Sequence, residues 1–133
     1  MPGVVADTHA FIWYVTNRRR LSHAARQALD DASVVGFPVV VSAISLVEIT
    51  YLIEKGRLLA AVATRLLEEI GKPDMAAAIA PVDRAVTEAV ARIPGDQVSD
   101  MPDRIIAATA LHLGLPLVTR DGRIRAAAIE TIW

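Results

Sequence analysis

Asp7 stands where the apolar run "VVA" meets the apolar run "AFIW", and Asp121 follows "PLVT" two residues after Thr119. A carboxylate in such a place can cap the helix that follows or help to hold a cation. Glu48 lies in "SAISLVEITYLIEK"; on a helix it falls between Ile44 and Leu52, with Tyr51 close by, and interrupts the apolar stripe. Unless it sits at the stripe's edge it needs an Arg or a cation, because an isolated buried carboxylate is costly. Asp103 is in the first turn of "MPDRIIAATALHLG", where the helix dipole already favours it. It is also in line with Ala107 and Ala110, a small-residue face that would pack closely on a sheet, so its side chain is expected to point inward. Asp100 is then the cap or an outer member of the cluster.

Singly, each acid has an ordinary structural explanation. Together they raise a question of energy. Two carboxylates about 5 Å apart repel by on the order of 3 kcal/mol at an effective dielectric of about 20. Four of them would destabilise the fold or raise some pKa values unless a cation lies between them. Oxygen ligands around an open, hydrated site point to Mg2+ or Mn2+. The chain has no cysteine, which excludes thiolate ligation and a disulfide framework, and His9, His23 and His112 show no metal-ligand spacing. His9 reads as packing or hydrogen-bonding beside the site, or as an ordinary core or surface residue. Thr119 can orient a carboxylate through its hydroxyl, although a threonine at a strand end is common.

The surrounding pattern predicts how these residues are positioned. Strands are expected over Gly3–Ala6, Pro38–Ser42 and Pro116–Thr119, with a further edge strand in the C-terminal "IETIW". Helices are expected over Thr8–Val15, Leu21–Ala32 (opened by Ser22), Ala43–Lys55, Leu58–Ile70 (closed by "GKP"), Asp83–Arg92 and Pro102–Leu113. The last has Pro in its first turn and Gly114 just past its end. "AAAIAPV", Ala76–Val82, fits a strand or a helix; its length and Pro81 favour a strand. Short apolar strands alternating with helices predict an α/β fold with a parallel sheet covered on both faces. Ligand sites in such sheets lie at the carboxyl ends of the strands where their order reverses. Asp7 and Asp121 would then share one edge of the sheet.

Composition sets wider bounds. The 133 residues form one domain, residues 1–133, with no repeat, low-complexity tract or linker. Hydrophobic residues make up 53% and mean hydropathy is +0.40, but the densest apolar stretch, "VVGFPVVV", is broken by Gly36 and Pro38 and is too short to span a bilayer. No basic segment leads into an apolar core at the N-terminus, so no secretory leader and a cytoplasmic location are expected. The apolar surplus suggests that a partner covers some surface. A net charge of −1 does not advertise a nucleic-acid binder, yet twelve of the fourteen basic residues are Arg, the better residue for phosphate. The run Arg18–Arg20 taken alone reads as solvated surface.

"VADTHAFIW", Glu48 in "SAISLVEI", "DMPDRIIAATA" and "LVTRDGRI", in this order and over nearly the whole chain, resemble the PIN-domain ribonucleases. The likeness is strongest to the small stand-alone toxins of the VapC type from prokaryotic toxin–antitoxin pairs. It implies a three-layer PIN-like fold, a central parallel sheet of four to five strands flanked by helices. It also implies a catalytic, metal-binding quartet of Asp7, Glu48, Asp103 and Asp121, with Asp7 and Asp103 the firmest ligands. Thr119, Asp100 and His9 would support it. One or two Mg2+ (or Mn2+) ions would activate water for in-line attack on RNA, leaving a 5′-phosphate and a 3′-hydroxyl. Arg104, Arg120 and Arg123 would hold flanking phosphates at the rim. A cognate antitoxin would lay its C-terminal segment along the helices, and a homodimer and a toxin–antitoxin hetero-oligomer are implied. One departure stands out: this chain has Asp100-Met-Pro-Asp103-Arg104 where the family often has Asp-Pro-aromatic-Asp-Arg. The acidic spacing survives and only the entry to the helix is altered.

Rival readings need other residues. A receiver-like signalling module that binds a divalent cation needs an acidic pair after the first strand and a Lys after the last; Asp7 has no acidic neighbour, and no Lys follows Lys72. A phosphatase of the haloacid dehalogenase type needs a second Asp where this chain has His9. A degenerate nuclease that only binds RNA or protein would not be expected to keep the quartet.

Overall fold

The fold is taken from a computed structural model that describes residues 3–34, 36, 38–71, 77–125 and 129–133. Five short strands form one sheet: β1 (Val4–Ala6), β2 (Val39–Ser42), β3 (Ala77–Ala80), β4 (Leu117–Val118) and β5 (Thr131–Ile132). All pairings are parallel and the spatial order is β3-β2-β1-β4-β5. The chain thus steps outward from β1 to β2 and β3, then crosses back to place β4 on the other side of β1. The order reverses between β1 and β4, which leaves a crevice at their carboxyl ends.

The apolar character of the strands follows from burial on both faces. Successive side chains alternate across a strand. Val4, Ala6, Val39, Val41 and Val118 enter a core with Phe11, Leu29, Ile49 and Leu66. Val5, Val40 and Leu117 enter the opposite core with Val86, Ile106, Ala107 and Ala110. The first layer contains α1 (Thr8–Thr16), α2 (His23–Val34), α3 (Ala43–Glu54) and α4 (Ala60–Gly71). The second contains α5 (Arg84–Val90) and α6 (Met101–Leu113), and a short α7 (Gly122–Arg125) follows β4. The predicted α/β architecture is what the chain adopts.

Boundaries shift for local reasons. The second helix begins at His23, because Ser22 is its cap and accepts the Ala25 N–H at 3.0 Å. The fourth begins at Ala60, not Leu58. The segment with two readings is a strand, β3, although Ala76, like the Lys72 and Pro73 of the expected "GKP" closure, lies outside the described residues. Gly114 ends α6 at φ 66, the left-handed conformation expected of a glycine there. The Arg18–Arg20 run forms a 3-10 turn whose three residues are exposed, in keeping with the expected solvated surface; Arg18 pairs with Asp30, and Arg20 lies over Trp13.

Candidate active site

Asp7 ends β1 and begins α1. Its N–H donates to the Val118 carbonyl of β4 at 3.1 Å, which ties it across the switch point, and its Oδ1 accepts the Ala10 N–H at 2.8 Å. The carboxylate therefore does cap the helix, and it also faces a cleft. Thr119, buried at the end of β4, joins two acids: its hydroxyl accepts the Asp121 N–H at 3.1 Å and hydrogen-bonds to the Asp7 carboxylate. Glu48 reaches the same cleft from α3 and accepts a hydrogen bond from the Thr8 hydroxyl, which is itself 2.8 Å from Ser45. A hydroxyl has one proton, so with Thr8 donating to Glu48 it is Ser45 that donates to Thr8. Asp103 enters from the first turn of α6, with Asp100 as the helix cap accepting its N–H at 3.2 Å.

These acids line a cleft of about 1100 Å³ together with His9, Trp13, Arg20, Arg57, Arg120 and Arg123. Its electrostatics show the strain expected of gathered carboxylates. Burial raises the pKa of Asp7, with bonds from Thr119 and the Ala10 N–H opposing the shift. Burial likewise raises Glu48 against the Thr8 hydrogen bond. Asp103 is pushed up to about 7 by burial first, then by the charges of Asp100, Glu48, Asp121 and Asp7. Asp121 goes the other way: Arg123 grips it in a fork, Nε to Oδ1 at 3.2 Å and Nη2 to Oδ2 at 3.0 Å, and holds it below the usual carboxylate range.

As their side chains stand, no three acids or histidines among the described residues converge closely enough to enclose an ion. Three of the four acids are instead held apart by their own partners: Thr119 on Asp7, Thr8 on Glu48 and Arg123 on Asp121. Asp103 has no side-chain hydrogen bond among the described residues to offset its burial and the charges of the other acids, so its pKa is pushed up. The all-oxygen donor set nevertheless suits a hard divalent cation.

The structure places the remaining expected residues unequally. Asp100 and His9 lie at the cleft, both exposed, with the His9 ring 5.5 Å from that of Trp13. Arg120 and Arg123 lie on its rim. Arg104 does not, and its expectation is corrected. It sits 100° around α6 from Asp103, and its guanidinium turns to the end of α5, where Nη2 donates to the Val90 and Ile93 carbonyls at 3.1 and 2.9 Å. It gives the Ile93 carbonyl a donor and adds a second bond to the Val90 carbonyl, which already accepts the Ile93 N–H at 3.0 Å. Arg104→Lys should therefore lower the stability of the fold by about 1 kcal/mol, since the shorter lysine side chain does not carry its ammonium as far as Nη2 reaches. Urea denaturation checks this, and an unchanged midpoint would refute the assigned role. Sequence reasoning missed Thr8, Trp13, Arg20 and Arg57 at the cleft. Thr8 had a usable signal in following Asp7 directly; the two arginines had none.

Residues 4–130 match the family model described as PIN domain. The chain belongs to the PIN domain family. This PIN chain is 33% identical over 126 residues to Ribonuclease VapC22 of Mycobacterium tuberculosis (strain ATCC 25618 / H37Rv), covering 94% of this chain and 92% of that protein. Its fold is similar to that of a chain in VapBC2 from Rickettsia felis, solved bound to a DNA fragment from their promoter, with a TM-score of 0.73 at 13% identity over 97% of this chain and 96% of the other. It is also similar to a chain of VapBC-5 from Mycobacterium tuberculosis, described as a member of the VapBC family of toxin–antitoxin systems, with a TM-score of 0.60 at 21% identity over 98% and 96%. At these identities the structures speak for the PIN fold alone. The strand order β3-β2-β1-β4-β5 also separates this PIN chain from a receiver-like module, whose order is 2-1-3-4-5.

Proposed function

We propose that this PIN chain, a single unit over residues 1–133, is an endoribonuclease dependent on Mg2+ or Mn2+ and the toxin of a toxin–antitoxin pair. One observation carries the reading: Asp7, Glu48, Asp100, Asp103 and Asp121 line a single cleft, where burial and the neighbouring acids push Asp103 upward and so favour a cation among them. The likeness to a protein named a ribonuclease supports the reaction, and the likeness to a toxin–antitoxin complex supports the setting.

Asp7, Glu48, Asp103 and Asp121 would hold the cation. Bound there, a divalent cation lowers the pKa of water and stabilises charge on a phosphodiester's oxygens. The chain's own residues orient these ligands. Thr119 fixes Asp7, and Thr8, backed by Ser45, fixes Glu48. Arg123 holds Asp121 in the fork and can turn to a phosphate, and exposed Arg120 lies beside it on the rim. Arg20 and Arg57 also line the cleft and add positive charge for a polyanion.

The segment of α3 and α4 leaves Val47, Tyr51, Leu59 and Leu67 exposed by 47, 57, 75 and 54%, a surface suited to a covering antitoxin or a second copy of the chain. No helix among the described residues is long and apolar enough to cross a membrane. The proposed location is the cytoplasm, where RNA and antitoxin would be met.

Purified protein should cut RNA in Mg2+ or Mn2+, stop when EDTA is added, and resume when Mn2+ is restored. Cleavage that continues in EDTA would remove the metal from the proposal. No cleavage with either ion would remove the nuclease. The toxin assignment predicts growth arrest on expression, relieved by co-expressing a cognate antitoxin.

A further inference from the structure

We infer that Trp13, with Arg20 over it, is a stacking platform for one unpaired nucleobase beside the scissile phosphate. This rests on the nuclease reading and adds to it what the cleft recognises besides phosphate.

Helix α1 starts at Asp7, and His9 and Trp13 lie one turn apart on the side that faces the cleft. At 1.5 Å per residue, Trp13 is about 9 Å along the helix axis from Asp7, close enough for a nucleotide near the one being cut. The indole is held rather than loose. It packs on the core beneath α1, meets Trp133 edge-on at 6.0 Å and 61°, and meets His9 at 5.5 Å and 47°. The guanidinium of Arg20 lies 4.7 Å from its ring centroid.

Arg20 is exposed and has no carboxylate partner among the described residues, although the cleft it lines is rich in acids. Its neighbour Arg18 is committed otherwise, to Asp30 and the Tyr14 ring. The Trp13–Arg20 pair thus offers, at one spot, a fixed aromatic face and a cation that can move: the two surfaces a nucleotide's base and phosphate require. A base entering between them takes the indole face, and Arg20 closes over the base or turns to its phosphate. The exchange is favourable because a stacked base outweighs an exposed cation–π contact. A base within a duplex is already stacked on both faces and cannot enter.

The test uses the purified protein and a single-stranded RNA oligonucleotide of mixed sequence whose cut position has been mapped. Abasic nucleotides are then placed one at a time at the positions flanking the cut. At one position the abasic substitution should raise KM about tenfold or more with little change in kcat, and annealing a complementary strand over that position should do the same. Trp13→Leu should raise KM for the intact RNA by a similar factor and erase its preference over the abasic RNA. Trp13→Phe, which keeps a ring, should retain most of that preference, and Arg20→Gln should lose a smaller part. A flat abasic scan with the parent protein overturns the platform while leaving the nuclease standing, and needs no variant to fold. Failure to cut any RNA overturns both.

Discussion

Asp7→Asn should lower the rate of RNA cleavage by at least about 10³-fold, equivalent to about 4 kcal/mol of transition-state stabilisation, without unfolding the protein. The substitution is nearly isosteric. An Asn oxygen can still accept the Ala10 N–H, and Asn is as good a helix cap as Asp, so α1 keeps its start. Its amide can donate to Thr119, which now hydrogen-bonds to the carboxylate. What disappears is the negative charge, at the place where burial already makes that charge costly. A structural cap would not notice its loss; a cation ligand would. Single-turnover cleavage assays with parent and variant in saturating Mn2+, alongside thermal melts, decide the matter. An Asn variant that cuts RNA at the parent's rate leaves Asp7 as a cap and nothing more.

Asp103→Asn should make the cation-free protein more stable at pH 8 while removing its activity. The side chain titrates near 7 in the folded protein against an ordinary value of 3.8, so the folded state binds the extra proton between those limits. Stability must then fall as pH rises through that window: the penalty is absent below about pH 4 and complete above about pH 7. Taken at face value the shift corresponds to about 4 kcal/mol, but the carboxyl is only half-buried, and solvent screening reduces this to about 2 kcal/mol. An uncharged Asn escapes the penalty. In EDTA at pH 8 the variant should melt roughly 6–10 °C above the parent, with the difference shrinking toward pH 4. Mg2+ should raise the melting temperature of the parent and scarcely move the variant. A variant that melts below the parent at pH 8 would mean that the acids do not strain one another.

Both expectations rest on residues that could be found without coordinates, and the reason is local. Asp7 and Asp121 each follow a short apolar strand, and the carboxyl ends of parallel strands share one edge of a sheet. Asp103 could be oriented because Ala107 and Ala110 mark the face of α6 that packs on the sheet, and both are indeed buried there. The same reasoning, carried one residue further, would have kept Arg104 out of the cleft. Adjacent positions on a helix diverge by 100°, and a guanidinium beside an inward carboxylate was bound to meet a neighbouring helix instead. The short α7 was not foreseen because its four residues are too few to show a periodicity. Arg20 and Arg57 were invisible for a different reason. They stand in connections between helices, and their path in space depends on how the whole layer packs.

The amino-acid sequence by itself determined the alternation of strand and helix, the two-faced burial of the sheet and the inventory of acids, because each is encoded within a window of a few residues by apolar spacing and capping. Only the tertiary structure decided that β4 returns beside β1, that Thr119 links Asp7 with Asp121, that Arg104 serves α5, and that Arg20 lies on Trp13. Those contacts join residues far apart in the chain. They depend on the rotation of each helix about its axis and on the side of the sheet to which each crossover returns, and no local pattern of side chains carries that information.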